Sequence, residues 1–326
     1  MRRFATTELG SPENFAFEEV PDPLPGAGQV RIKVHAVALG FVDGLIAAGK
    51  YQMMPTLPFT PGGEIAGVVD MVGPDVHELR PGARVVSWQL GGGLADYVVV
   101  SAIEADVIPD KLGFAAAAAM LVDYQTARYA LLERGKLKAD ETVLIAGAAG
   151  GVGSAAIQIA SKNGAHVIAL ISDPARYERA IKLGASSVLS PSAPHLRSEL
   201  RLLAPNGINL AVDPVGGTLS EQMFRSLAKE GRHLVIGFAD GTIPAIPSNL
   251  ALVKSTSLIG VDLRHLLAAY PDAARRSRHE LFENVVGGEL TPPITTTYQF
   301  EQARDALATT RSRSGNGKPV VLVHEK

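Results

Sequence analysis

The chain has 326 residues, a net charge of −2, 20% charged residues and no cysteine. That length gives about two domains and a core that needs no disulfide or metal to hold it. The near-neutral balance argues against nucleic acid or an anionic membrane as a partner, and the missing cysteines remove thiol chemistry.

The first ten residues carry two arginines but no apolar core of signal-peptide length, and the longest apolar run, Phe114 to Val122, is too short to span a bilayer. A cytoplasmic protein is the expectation. Residues 1–110 read as β-rich. Val30 to Ala36 alternates as a half-buried strand does, and Ile65 to Val72 and Arg84 to Trp88 look the same. Turn signals at Pro23–Gly26, Gly73-Pro74, Pro81-Gly82 and Gly91–Gly93 separate them, which suggests a small barrel.

The pattern changes after Pro109. Ala115 to Leu132 has a helical composition. Strands then alternate with helices: strands at 142–146, 166–171, 186–189, 208–213, 232–237 and 257–261, helices at 151–163, 175–183, 195–204 and 218–229. This alternation predicts an α/β fold with a doubly wound parallel sheet. A helix near 272–287 leads to a tail that ends in the apolar strand Pro319 to Val323, which is expected to rejoin the N-terminal β domain. The basic cluster Arg275, Arg276 and Arg278 is read as a solvated helix face.

Residues 142–153 are the most informative stretch. An apolar strand feeds Gly147, Gly150, Gly151, Val152 and Gly153, which open directly into a helix. Glycines let the backbone approach phosphates, and the first helical N–H groups face the negative charge of a pyrophosphate. The spacing is not the strict G-x-G-x-x-G, but the preceding strand, the helix and the next strand are all present. The tip of that next strand decides the coenzyme. If the tip is Ile171, no carboxylate stands there, and Ser172 and Arg176 can reach a 2′-phosphate. If it is Asp173, the ribose of NAD is favoured. Asp173 precedes Pro174, where it suits a helix cap. The reading adopted is NADPH, with NADH the lesser alternative.

Several segments together resemble the medium-chain dehydrogenase/reductase superfamily, and within it the zinc-independent quinone oxidoreductases of the zeta-crystallin group. They are Asp43 to Tyr51 with Pro58 to Gly67, Val76 to Val85, Gly92 to Val98, Tyr124 to Ala127, the Gly147–Gly153 turn, Ala211 to Gly217 and Gly317 to Val321. The resemblance implies a GroES-like β-barrel catalytic domain (1–121), a Rossmann dinucleotide-binding domain (122–262) and a C-terminal return that completes the first domain (263–326). It implies a site in the cleft between domains. It also implies a homodimer through the edge strand near Ser257 to Val261.

Residue by residue, the resemblance places Thr126 at the nicotinamide, Gly150, Gly151 and Val152 at the pyrophosphate, and Ser172 and Arg176 at the adenosine phosphate. Gly237, Phe238 and Ala239 fall at the ribose, and Arg313 reaches the cofactor phosphate. Gly40, Phe41 and Leu45 line the substrate pocket. Relatives often have Asn at position 40, a polar aromatic at 45 and Tyr at 191, where this chain has Gly40, Leu45 and Pro191, so this pocket should be less polar and roomier. Zinc members carry Gly-His-Glu where Gly62, Gly63 and Glu64 stand, and they need cysteine ligands as well. No metal is expected.

Without a metal, hydride transfer from a nicotinamide to a quinone is the chemistry that fits. The product oxyanion is delocalised, so a strong acid is not essential. Tyr51 and Asp43 are the polar candidates near the substrate. Each also has a structural reading: Tyr51 as a packing aromatic, Asp43 as a helix cap or backbone partner. Glu64 and Asp213 are read as structural. The substrate expected is a small-molecule quinone, with activated C=C bonds of enones, alkenals or enoyl thioesters as the alternative. A non-catalytic NADPH-binding structural or sensor protein is the other class.

Overall fold

The computed structural model describes residues 1–292, 294–310 and 317–324. The chain divides into two compact units, Met1–Val122 with Arg278–Lys326, and Asp123–Ser277.

The first unit opens with a short antiparallel pair, β1 (Arg2–Ala5) and β2 (Ala16–Glu19). β3 (Gln29–Ala38), β4 (Glu64–Val72), β5 (Arg84–Trp88), β6 (Tyr97–Ser101) and β7 (Ala105–Val107) follow. Helix α1 (Phe41–Ala47) lies between β3 and β4, and α2 (Phe114–Arg128) leads out of the unit. The long strand β3 organises the sheet. It pairs with β4 along one side and with β6 along the other. Its alternation is real: Val30, Ile32 and Val34 are fully buried in a core that also holds Phe4, Phe15 and Ile65. Burying such side chains contributes about 2 kcal/mol each.

The second unit carries β8 (Thr142–Ile145), α3 (Gly151–Lys162), β9 (His166–Leu170), α4 (Tyr177–Lys182), β10 (Ser187–Leu189) and α5 (Leu196–Leu203). It continues through β11 (Ile208–Asp213), α6 (Gly217–Arg225), β12 (Leu227–Val235), α7 (Ser248–Lys254), β13 (Ser257–Gly260) and α8 (Leu263–Ala269). All neighbouring strands are parallel, in the order β10-β9-β8-β11-β12-β13. The chain moves outward from β8 to β10, then returns to β11 on the other side. The crevice between the ends of β8 and β11 is therefore a topological switch point, where such sheets bind ligands.

Helix α9 (Pro271–Val286) carries the chain back to the first unit, which β14 (Ile294–Gln299), α10 (Ala303–Thr309) and β15 (Lys318–Leu322) complete. β15 joins β3 antiparallel through Val320–Leu322, next to the segment that β6 covers.

Three expectations need correction. The helix from Ala115 is not regular to Leu132. It widens after Arg128 into a π turn, Tyr129–Arg134, closed by the Gly135 N–H donating to the Ala130 carbonyl at 2.7 Å. The helix expected to reach 229 stops at Arg225, and Leu227 already pairs with Ile208 in the sheet. Local propensity at Ala228–Glu230 favours helix, but burial of Leu227 against β11 wins. The basic cluster on α9 is not wholly solvated: Arg278 forms an ion pair with the buried Asp106, and Ser277 is buried. Among the described residues, no helix is long and apolar enough to cross a membrane.

Candidate functional site

The glycine turn follows β8 at the switch point. Gly147 has φ +56°, a left-handed conformation that favours glycine. Gly153 is bare because a Cβ there would strike the Gly147 carbonyl. Gly150 stands at the N-cap of α3 with extended backbone and no side-chain cap, so the helix begins without a side chain of its own on its first N–H groups. Gly151 and Val152 open its first turn, and Ser154 turns its hydroxyl inward to donate to the Gly151 carbonyl at 3.0 Å. An uncapped twelve-residue helix, entered through glycines at a switch point, fits a dinucleotide pyrophosphate. Gly151 serves packing too: a Cβ there would overlap the Asp123 carboxylate of α2. Tyr124, fully buried on the same helix, accepts a 2.6 Å hydrogen bond from Gln158 of α3. Thr126, one turn on from Asp123, is buried.

Past β9, Ile171 is buried while Ser172 and Asp173 are exposed. Asp173 does cap the following turn, accepting the Ala175 N–H at 3.0 Å, and its other oxygen meets Arg176 Nε at 3.2 Å. Arg179 lies one turn beyond, where burial lowers its guanidinium pKa and Arg176 adds to the lowering. Two guanidinium groups thus act on one another in the segment that follows Ser172. The sequence reading missed Arg179; its helical spacing from Arg176 was the available signal.

On the β11 side, Asp213 ends the strand fully enclosed. One carboxylate oxygen accepts the Val215 and Gly216 N–H groups at 3.0 and 2.9 Å. The other takes the Ser220 hydroxyl and His233 Nε2, the latter at 3.0 Å. Burial alone would raise this carboxyl, but the donors from His233, Ser220 and Gly216 outweigh it and hold the group below its ordinary value. Gly237, Phe238 and Ala239 follow β12, with Phe238 and Ala239 exposed.

In the first unit, Gly40 caps α1, and Phe41 is exposed while Leu45 is half-buried. Asp43 does not stand free for chemistry. Its oxygens accept the Gly40 N–H at 2.7 Å, the Gly62 N–H at 3.0 Å and the Gly63 N–H at 3.2 Å. Burial pushes its carboxyl above the ordinary value, against the pull of these donors and of Lys318. This geometry ties α1 to the loop before β4 and gives Asp43 backbone partners on both oxygens. Behind it, Lys318 and Glu64 form a fully enclosed ion pair, and Glu64 also accepts the Val122 N–H at 3.0 Å. A Cβ on Gly40 would meet Glu64 Oε1 at 3.4 Å, so glycine here keeps α1 close to that pair. Tyr51 packs its ring on the unit's core, and its hydroxyl has no hydrogen-bond partner among the described residues. Arg313 lies outside the described residues.

The donor set does not fit zinc. Gly63 offers no ligand, a Cβ there would collide with the Gln89 carbonyl, and the chain has no cysteine. Among the described residues no three His, Asp or Glu side chains converge on a metal-sized site.

Comparison with known proteins agrees with this organisation. The alcohol dehydrogenase GroES-like domain model matches residues 26–110, and the zinc-binding dehydrogenase model matches residues 151–278. Quinone oxidoreductase-like protein 2 of Bos taurus is 35% identical over 89% of this chain and 84% of its own length. Quinone oxidoreductase of Homo sapiens is 30% identical over 99% of this chain and 98% of its own. The crystal structure of Escherichia coli quinone oxidoreductase complexed with NADPH superposes with a TM-score of 0.90 at 25% identity, covering 99% of this chain and 100% of that one.

Proposed function

This chain belongs to the zinc-independent quinone oxidoreductase group of the medium-chain dehydrogenase/reductase superfamily, and on that premise we propose that it is an NADPH-dependent reductase of quinones. The observation that carries the proposal is the uncapped, glycine-entered start of α3 at the switch point of the parallel sheet. Gly147, Gly150, Gly151, Val152 and Gly153 hold the pyrophosphate there. Thr126 faces the nicotinamide, and the loop of Gly237 to Ala239 the ribose. Ser172 and Arg176, with Arg179 beside them, take the 2′-phosphate. NADPH, when bound, supplies the hydride.

The protein's own part is binding, orientation and a modest hydrogen bond. Asp43 is committed to backbone N–H groups, so it serves to position α1 and the Gly40–Leu45 face of the substrate pocket. Tyr51 is the donor proposed for the acceptor oxygen. A quinone suits this sparse equipment because its reduced oxyanion is stabilised by delocalisation and needs no strong acid. The exposed edge strand β13, with Leu258 outward, supports a homodimer formed through that edge.

The test is kcat/KM with NADPH and with NADH against 1,4-benzoquinone, 9,10-phenanthrenequinone, an alkenal and an enoyl-CoA. The proposal expects quinones to be reduced fastest, and NADPH to be preferred by about tenfold or more. Arg176→Ala should shrink that preference, and Tyr51→Phe should lower kcat. Faster turnover of the alkenal or enoyl-CoA would assign activated C=C bonds instead. Tight NADPH binding with no turnover of any acceptor would mark a non-catalytic protein. Light scattering that gives a monomer would remove the dimer.

A further inference from the structure

The proposed reading leaves one feature of the second unit unused. Asp213, Ser220 and His233 form a closed polar cluster in the core, and each is at most 2% exposed. Polar groups buried this deeply are costly unless satisfied, so their arrangement calls for a reason. The Asp213 carboxylate is satisfied by two side-chain donors and two backbone N–H groups. His233 must carry its proton on Nε2 to donate to it. Nδ1 is then left without a partner among the described residues, and the ring is fully buried. The cluster therefore fixes one tautomer and one ring orientation.

What the cluster holds is the turn Pro214–Gly217, and that turn touches both halves of the coenzyme cradle. Val215 stands against Gly147, where a Cβ would meet its Cγ2 at 3.0 Å. On its other side the turn is laced to the loop after β12. Ala239 N–H donates to the Pro214 carbonyl at 3.2 Å, Asp240 N–H to the Val215 carbonyl at 2.8 Å, and Gly217 N–H to the Thr242 carbonyl at 2.9 Å. One carboxylate thus sets the position of a turn that in turn sets the glycine turn after β8 and the 237–240 loop.

We infer that Asp213, Ser220 and His233 are positioning residues that fix the coenzyme cradle through the Pro214–Gly217 turn. This rests on the reading that NADPH binds in the second unit. All three are enclosed in the core, so they act through the turn. Their effect is to spare the coenzyme the ordering of two loops on binding, which is the part of affinity that preorganisation supplies.

Calorimetric NADPH binding and amide hydrogen exchange on the purified full-length protein test the inference together. Ser220→Ala removes one donor with little change of volume and should weaken NADPH binding by about fivefold, the worth of one buried hydrogen bond. His233→Leu should weaken it by about tenfold or more. His233→Gln, which keeps an N–H near the position of Nε2, should recover most of that loss. In steady state, KM for NADPH should rise while kcat at saturating NADPH stays within about twofold. Amides of 214–217 and 237–240 should exchange faster in Ser220→Ala. Lys254→Met, which removes an ammonium from the Arg225 and Leu227 carbonyls, is the control. It should lower Tm yet leave NADPH binding unchanged. Folded Ser220→Ala that binds NADPH as the wild type does, with unchanged exchange in both loops, overturns the inference. If His233→Leu does not fold, Ser220→Ala decides alone. If the wild type binds neither coenzyme, the coenzyme reading falls, and the exchange result still judges whether the cluster orders the two loops.

Discussion

Each unit encloses one aspartate that ties a turn to the start of a helix, and the two carboxylates are held in opposite ways. Asp43 in the first unit receives only backbone N–H groups and lies above its ordinary value because burial dominates. Asp213 in the second unit adds a hydroxyl and an imidazole N–H to its backbone donors and lies below its ordinary value. Both carboxylates are enclosed yet shift in opposite directions, and the side-chain donors aimed at Asp213, which Asp43 lacks, favour its charged form. The first arrangement is a backbone clamp that tolerates a neutral group. The second is an anion-holding cluster, built where two loops of the coenzyme cradle meet.

The largest expected effect is at the anion cluster. Asp213→Ala strands His233, Ser220 and two backbone donors and should cost about 4 kcal/mol, the range seen when one partner of a buried charged group is removed. Urea unfolding followed by far-UV circular dichroism measures it, and a cost below about 1 kcal/mol would erase the contrast between the two aspartates. The next effect sharpens the clamp side. Gly63 must stay bare because the Gln89 carbonyl closes on it, so Gly63→Ala should cost about 2 kcal/mol through overpacking. Trp88, the single tryptophan, reports unfolding of the first unit by its fluorescence. Smaller still is Asp43→Asn, which keeps one acceptor oxygen and should cost about 1 kcal/mol.

The pH dependences of the two groups have opposite signs. Asp213, held low, contributes stability that is fully present above the ordinary aspartate value of about 3.9 and is lost as pH falls through its depressed value. Asp43, held high, binds its proton more tightly in the folded state, so stability falls as pH rises from about 3.9 through its raised value and then levels. Urea midpoints against pH should therefore lose their acid-side rise in Asp213→Asn and lose a decline above it in Asp43→Asn. The same sign of change in both variants would contradict the comparison.

The two units also differed in how plainly the sequence announced them. In the second, every predicted strand is present and the glycine turn enters α3 at the predicted residue. Runs such as Val167 to Leu170 are apolar on both faces, which is what a covered parallel strand requires. The first unit was less legible. β1, β2 and β14 are short or threonine-rich, so their own sequences carry little strand signal and pairing with a neighbouring strand defines them. Helix α1 was invisible because Gly40, Val42 and Gly44 weaken local propensity, and its cap comes from Asp43 reaching back to the Gly40 N–H. The site divides the same way. The phosphate turn is a local pattern and could be read. The cluster of Asp213 with Ser220 and His233 joins two strand positions and a helix, and no local spacing signals it. Lys318 stood within a motif already singled out, but its partner Glu64 is 254 positions away, a pairing that only the fold reveals.

The coenzyme is the point on which the functional account turns, and titration calorimetry of the purified protein with NADPH and NADH addresses it without any assumption about the acceptor. The account predicts one NADPH per chain, bound about tenfold or more tighter than NADH, with the preference reduced in Arg176→Ala. No heat with either coenzyme, or tighter binding of NADH, would contradict it.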